Sequence, residues 1–156
     1  MIRLSAFSVL ISLGLISPAH AQPGTLDATF GVGGVVQIDL MPDGDAAQDA
    51  LPMNDGRLYV AGYLDNGVEH GFLLRLLTDG TPDPTFGTVV LPTGNGGRAY
   101  RMGYAPDSSV YVCGFADTLG YETVTAWRIL PSGVLDPTFG FNGRSSIQIG
   151  FSDARA

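Results

Sequence analysis

The chain predicts an all-β protein of tandem four-stranded antiparallel units, propeller-like or built of stacked sheets, and incomplete at two units plus the start of a third. Three observations predict it. A heptapeptide occurs three times, as TLDATFG at 25–31, TPDPTFG at 81–87 and VLDPTFG at 134–140. A repeat at a near-fixed period makes each unit one supersecondary module that stacks on its neighbours. The 22 Gly and 10 Pro fall in clusters between short apolar runs, which is the punctuation of strands and turns. Long helical periodicity is confined to the first 21 residues.

Those first residues read as a leader. Met1-Ile2-Arg3 carries a positive charge, 4–16 is uncharged and rich in Leu, Ile, Val and Phe, and Ala19-His20-Ala21 is a small-x-small cleavage pattern. This is the layout of a secretory signal peptide, 1–21, cleaved after Ala21. Its apolar run is shorter than the roughly 20 residues a spanning helix needs. The expectation is export to the periplasm, the cell surface or the exterior, with no membrane span after cleavage. The repeat domain is then 22–156, with unit one at about 31–87, unit two at about 87–140 and the start of a third unit at 140–156.

Within unit one the expected strands are 35–40, 47–53, 58–63 and 72–77; within unit two they are 88–92, 99–104, 110–115 and 123–130. The two sets match element by element: Asp55-Gly-Arg-Leu-Tyr-Val-Ala-Gly-Tyr63 aligns with Asp107-Ser-Ser-Val-Tyr-Val-Cys-Gly-Phe115. Ser145-Ser-Ile-Gln-Ile149 echoes Val35-Val-Gln-Ile38 and is expected to open the third unit. In the third strand Leu58, Val60 and Gly62 share one face, and Tyr59, Ala61 and Tyr63 the other. In the fourth, Phe72, Leu74 and Leu76 share a face, and the opposite face, Leu73, Arg75 and Leu77, is also mostly apolar. Strands apolar on both faces are covered on both, as in a stack of small sheets.

The heptapeptide reads as a folded corner. Asp in a D-x-T step accepts the N–H two residues on, and Thr is expected to add a second side-chain-to-backbone bond. Phe anchors the corner, and Gly lets the chain turn into the next strand. The structural residues are therefore Asp27, Thr29, Phe30 and Gly31; Asp83, Thr85, Phe86 and Gly87; and Asp136, Thr138, Phe139 and Gly140. Arg75 and Arg128 each stand eight residues before a corner Asp, Asp83 and Asp136. Each pair is expected to bridge a strand to its corner.

These motifs carry a resemblance. G-x-L-D-x-T-F-G, then D-G-R-L-x-V-A-G about 25 residues later, then an apolar strand bearing Arg and a further D-G, resembles the Delta-60 repeat family of secreted and surface proteins, mostly bacterial. The resemblance spans Gly24 to about Gly143. It implies a propeller-like or stacked-sheet scaffold and no established catalytic residues. The chain departs from the family in copy number. Two units do not close a propeller, which takes about four blades or more. Truncation or assembly of several chains is expected to account for this.

Composition narrows the chemistry. A net charge of −7, a pI near 4.4 and the absence of Lys argue against nucleic acid and anionic membrane surfaces as partners. Cys113 lies in a strand pattern and reads as an inert buried thiol. Downstream of the leader His70 is the single His, placed in an exposed loop, and no G-x-S-x-G elbow accompanies it. Asp43-Gly-Asp45, with Asp49 nearby, lacks the EF-hand spacing. The two Glu of the chain, Glu69 and Glu122, stand in equivalent loops between the third and fourth strands. With Tyr121 they are the candidate binding residues at one rim, and a hydrolase or lyase would have to draw on them. The expectation is a binding or structural module meeting a glycan or a surface protein, or self-assembling, with no cofactor, no metal site and no catalytic constellation. The alternatives are a truncated remnant of a longer repeat protein and a carbohydrate-active enzyme.

Overall fold

The computed structural model describes residues 24–42, 44–118 and 120–148. The leader at 1–21, Asp43, and Ile149 of the last expected strand lie outside the described residues. The rest is all-β. Sheet one holds β1 (Gly44–Pro52), β2 (Leu58–Asp65), β3 (Glu69–Leu76) and β4 (Thr88–Val90); sheet two holds β5 (Gly97–Tyr104), β6 (Val110–Thr118), β7 (Tyr121–Ile129) and β8 (Arg144–Ile147). Each is an antiparallel meander in chain order, β1-β2-β3-β4 and β5-β6-β7-β8.

Strand membership differs from the sequence expectation at one point in each unit. The segment expected to open unit two, 88–92, instead supplies β4 and closes sheet one against β3. The segment expected to open a third unit supplies β8 and closes sheet two against β7. The reason is the corner. It reverses the chain tightly after β3, with an isolated bridge between Leu76 and Pro82, so the next extended run lies back along the strand just left. The equivalent run before sheet one, 35–40, was also expected to be a strand. It enters through the same small turn, since Val32 N–H donates to the Val35 carbonyl (2.9 Å) as Phe141 N–H donates to Arg144 (2.7 Å). No third strand stands beside it among the described residues, so it runs outside both sheets as a strap. Val36, Ile38 and Leu40 pack inward, and Val35, Gln37 and Asp39 are exposed.

Register then sorts the side chains. Leu58↔Leu76, Val60↔Leu74 and Gly62↔Phe72 share one face of sheet one, and Tyr59↔Arg75 and Ala61↔Leu73 the other. The second face packs on Val110, Val112, Trp127 and Ile129 of sheet two, with Phe86 and Leu91 between the sheets, as one core. The first face, with Leu64, is covered by Phe30, Val36, Ile38, Leu40 and Met41 of the strap as a second core. The first strand of each sheet carries a bulge at the same place, between Ala47 and Asp49 in β1 and between Ala99 and Arg101 in β5. Opposite each bulge is a glycine. A Cβ on Gly62 would lie 1.9 Å from the Ala46 carbonyl oxygen, and one on Gly114 would lie 1.9 Å from that of Arg98.

Candidate functional site

The three corners fold alike. Thr29, Thr85 and Thr138 each donate a backbone N–H to the Oδ1 of Asp27, Asp83 and Asp136, at 2.9 Å in every case. The Thr hydroxyl was expected to reach backbone. It donates instead to the same Oδ1, at 2.6–2.7 Å, because the Asx turn brings that oxygen within its reach. The second carboxylate oxygen is thereby left for a cation. Arg75 Nε donates to Asp83 Oδ2 at 2.8 Å with both residues buried, and Arg128 Nη1 lies 2.8 Å from Asp136 Oδ2. The Thr85 hydroxyl, together with the Thr85 N–H and Arg75, holds the Asp83 carboxyl down at about 2 against the opposing effect of burial. The Thr138 and Thr29 hydroxyls likewise lower Asp136 and Asp27.

The surroundings of the three corners differ. Arg75 also donates from Nη1 to the Pro131 carbonyl of the next unit (3.1 Å) and from Nη2 to Thr85 Oγ1 (3.2 Å), and its guanidinium lies 4.7 Å from the Phe86 ring centroid. Arg57, which the sequence did not single out, joins Asp55 (2.6 Å) to Asp83 (3.5 Å). Unit two has Ser109 where unit one has Arg57, and there Arg128 turns its own Nη2 to Asp107 at 2.6 Å. Asp27 has no arginine bridge among the described residues. Phe86 is 7 % exposed, whereas Phe30 and Phe139 are half-buried.

The rim candidates are placed differently from their expected loops. Glu69 and His70 begin β3, and Tyr121 and Glu122 begin β7, because the hairpin turns are shorter than the polar sequence suggested. Glu69 makes a bidentate ion pair with Arg98 of sheet two, through Nε to Oε2 at 2.5 Å and through Nη2 to Oε1. The Arg98 guanidinium lies 4.2 Å from the Tyr63 ring centroid. His70, expected in an exposed loop, is partly buried with Nδ1 2.9 Å from Thr93 Oγ1. Glu69 therefore ties the two sheets together, and His70 ties β3 to the segment that joins them. Glu122 stands opposite Asp117 in register, and the Tyr121 ring beside it is 53 % exposed. Asp45 caps the strap, accepting from Leu40 N–H (2.5 Å) and Met41 N–H (3.0 Å). Asp49 accepts from Met102 N–H across the sheet junction (2.7 Å). Cys113 is half-buried in β6 with its thiol pushed up by burial.

At the opposite end from the rim, a cavity of about 460 Å³ opens between the β1–β2 and β5–β6 turns, lined in part by Asn54, Asp55, Arg57, Tyr59 and Tyr104. Its two cations are both paired, Arg57 with Asp55 and Arg75 with Asp83.

Residues 54–86 match a family model described as domain of unknown function (DUF5122) beta-propeller. The matched stretch is β2, β3 and the corner that follows them. The match supports a beta-propeller repeat family. The two antiparallel four-stranded sheets, in an all-strand chain, agree with propeller-like units. No curated protein matches the chain. Arg98, Arg57 and Asp107 were missed by sequence reasoning. Arg57 had a local signal, since Asp55-Gly-Arg57 is a turn that returns the Arg to its own Asp. Arg98 stands 29 residues from Glu69 and had none.

Proposed function

We propose that the chain is a non-catalytic β-repeat scaffold, exported through its leader and working as a binding or structural module on the bacterial cell surface or outside the cell. In this reading it is one of the Delta-60 repeats, with a glycan or a surface protein as its partner. One observation carries the reading: the Arg and Asp that recur in both units are occupied by each other. Asp83 and Asp136 each meet an arginine and a threonine, and Glu69 meets Arg98. Residues used this way hold a fold together and leave recognition to the rim. There Tyr121 offers an exposed ring next to Glu122, and such loop-proximal positions on a rigid scaffold are where binding residues concentrate.

The test has two arms. The full chain is sedimented with insoluble peptidoglycan, cellulose and chitin and with whole bacterial cells, alongside Tyr121→Ala. Retention on one of these, weakened at least fivefold by the substitution, is expected; equal retention of both forms removes the rim from the account. Release of reducing ends from the same polysaccharides is measured in parallel with Glu122→Gln. Turnover that disappears in that variant would replace the scaffold reading with a hydrolase or lyase. Fractionation of expressing cells checks export, with a mature chain beginning at Gln22 outside the cytoplasm as the expected product.

A further inference from the structure

The two sheets meet through one junction, and among the described residues each half of that junction occurs a second time without its counterpart. On sheet one the half is Tyr59, Ala61, Leu73, Arg75 and Phe86, with exposures of 1, 0, 0, 6 and 7 %. Register places Tyr111, Cys113, Ala126, Arg128 and Phe139 at the same positions of sheet two, and all five are half-buried. The arginine records the difference. Arg75 directs Nη1 to the Pro131 carbonyl of the neighbouring unit, whereas Arg128 Nε is buried without a hydrogen-bond partner among the described residues.

The other half is the face of sheet two that carries Val110, Val112, Trp127 and Ile129, all at most 1 % exposed against sheet one. Its equivalent on sheet one is Leu58, Val60, Leu74 and Leu76, which among the described residues is covered by the strap alone. A cavity of about 440 Å³ remains between strap and sheet. The strap imitates a neighbouring unit. Gly31 N–H donates to the Asp79 carbonyl at 2.7 Å. The Phe30 ring also lies against Gly80 as the Phe86 ring lies against Gly133, each 3.3 Å from the site of a glycine Cβ. The strap thus fills the position of a corner and its fourth strand without the three strands that precede them in a complete unit.

We propose that the Tyr111–Cys113–Ala126–Arg128–Phe139 face of sheet two docks on the Leu58–Val60–Leu74–Leu76 face of sheet one in a second copy of this chain, in competition with that copy's strap. The occupant is a second copy because both complementary halves are in the chain and already meet once within it. The corner at 134–140 takes the place held by 25–31, and Arg128 gains the Thr78 carbonyl, the counterpart of Pro131. Such head-to-tail contact repeats from copy to copy and closes into a ring if the rotation permits. The proposal is independent of the glycan or surface-protein role above.

Cys113, the single cysteine, lies inside the proposed contact and reports on it. The strap is weakened in the full chain with Val36→Asp and Ile38→Asp, and mass is followed by light scattering while a thiol reagent titrates Cys113. The expected result is multimers with Cys113 modified at least tenfold more slowly than in the unaltered chain. Adding Ala126→Arg, a bulky charge on the docking face, is expected to restore both monomer and thiol reactivity. A strap variant that remains monomeric with a reactive thiol, or that associates regardless of Ala126→Arg, overturns the proposal. If the strap variant loses its β-sheet circular dichroism, the unaltered chain is titrated from micromolar to millimolar concentration. Thiol protection that rises with concentration and is abolished by Ala126→Arg supports the contact, and protection that is absent or indifferent to that change refutes it.

Discussion

A single aspartate shows how one side chain serves three partners. Asp83 gives Oδ1 to the N–H and hydroxyl of Thr85 and Oδ2 to Arg75, and its carboxyl falls from the ordinary 3.8 to about 2. A carboxyl lowered on folding contributes stability above its unfolded value and loses it as pH falls toward the folded one. Acid unfolding is therefore expected to set in between about pH 4 and pH 2, and Asp83→Asn should flatten the stability profile in that window. Asp83→Ala leaves the buried Arg75 without its counter-charge, so it should lower the urea midpoint more than Asp27→Ala, whose corner has no described arginine bridge. The corner phenylalanines form a similar pair. Phe86→Ala should cost about 3–5 kcal/mol, as removal of a fully buried ring does. Phe139→Ala, measured on dilute monomer, should cost about 1–2 kcal/mol, because only part of the 1.5–3 kcal/mol of full burial is realised. This scale was the most legible in the sequence. D-x-T and the eight-residue Arg-to-Asp spacing are local, and local geometry obliges them to meet. The Thr hydroxyl was misdirected because sequence spacing alone does not separate a carboxylate from a carbonyl as its acceptor.

Strand existence was legible from alternation, but strand membership was not. Val89 and Ile147 carry the same pattern whether their segments open a sheet or close one. The outcome rests on how sharply Asp83 and Asp136 turn the chain. The same limit explains the strap, whose alternation of Val36, Ile38 and Leu40 is that of a strand without a neighbour to pair with among the described residues. Hairpin turns were overestimated because Glu69, His70 and Glu122 look like loop residues and are instead strand ends, the first two held by Arg98 and Thr93 from far along the chain. The bulges give this scale its prediction. Gly62→Ala and Gly114→Ala should each destabilise by more than about 1 kcal/mol, the expected consequence of a substitution that the native backbone cannot accept. Both clash with a carbonyl oxygen at 1.9 Å. Chemical denaturation with sheet content followed by circular dichroism checks both. Unequal losses would mean that one bulge can relax and the other cannot.

The whole molecule is held by what crosses between the sheets. Trp127 is fully buried against sheet one and donates Nε1–H to the Pro92 carbonyl at 3.3 Å. Glu69–Arg98, Asp49–Met102 and Tyr104 to the Pro52 carbonyl are further ties. With one shared core, the sheets are expected to unfold together. Trp127 fluorescence and far-ultraviolet circular dichroism should trace coincident transitions, and Trp127→Ala should cost about 3–5 kcal/mol while melting both sheets. Two separated transitions would show that the sheets are independent. These ties were the least legible feature, since each joins residues dozens apart and no local spacing announces them.

The bulges have a consequence for how such a chain could grow. At the equivalent bulge position sheet one has Asp49, which accepts the Met102 N–H across the junction, and sheet two has Arg101, which donates to the Gln48 carbonyl at 3.3 Å. A gene duplication that copied unit two beside itself would set a guanidinium where the junction needs an acceptor for a backbone amide. Lengthening this chain therefore takes a charge reversal along with the copy, and in a longer array every unit that another unit follows should carry an acceptor at that one site.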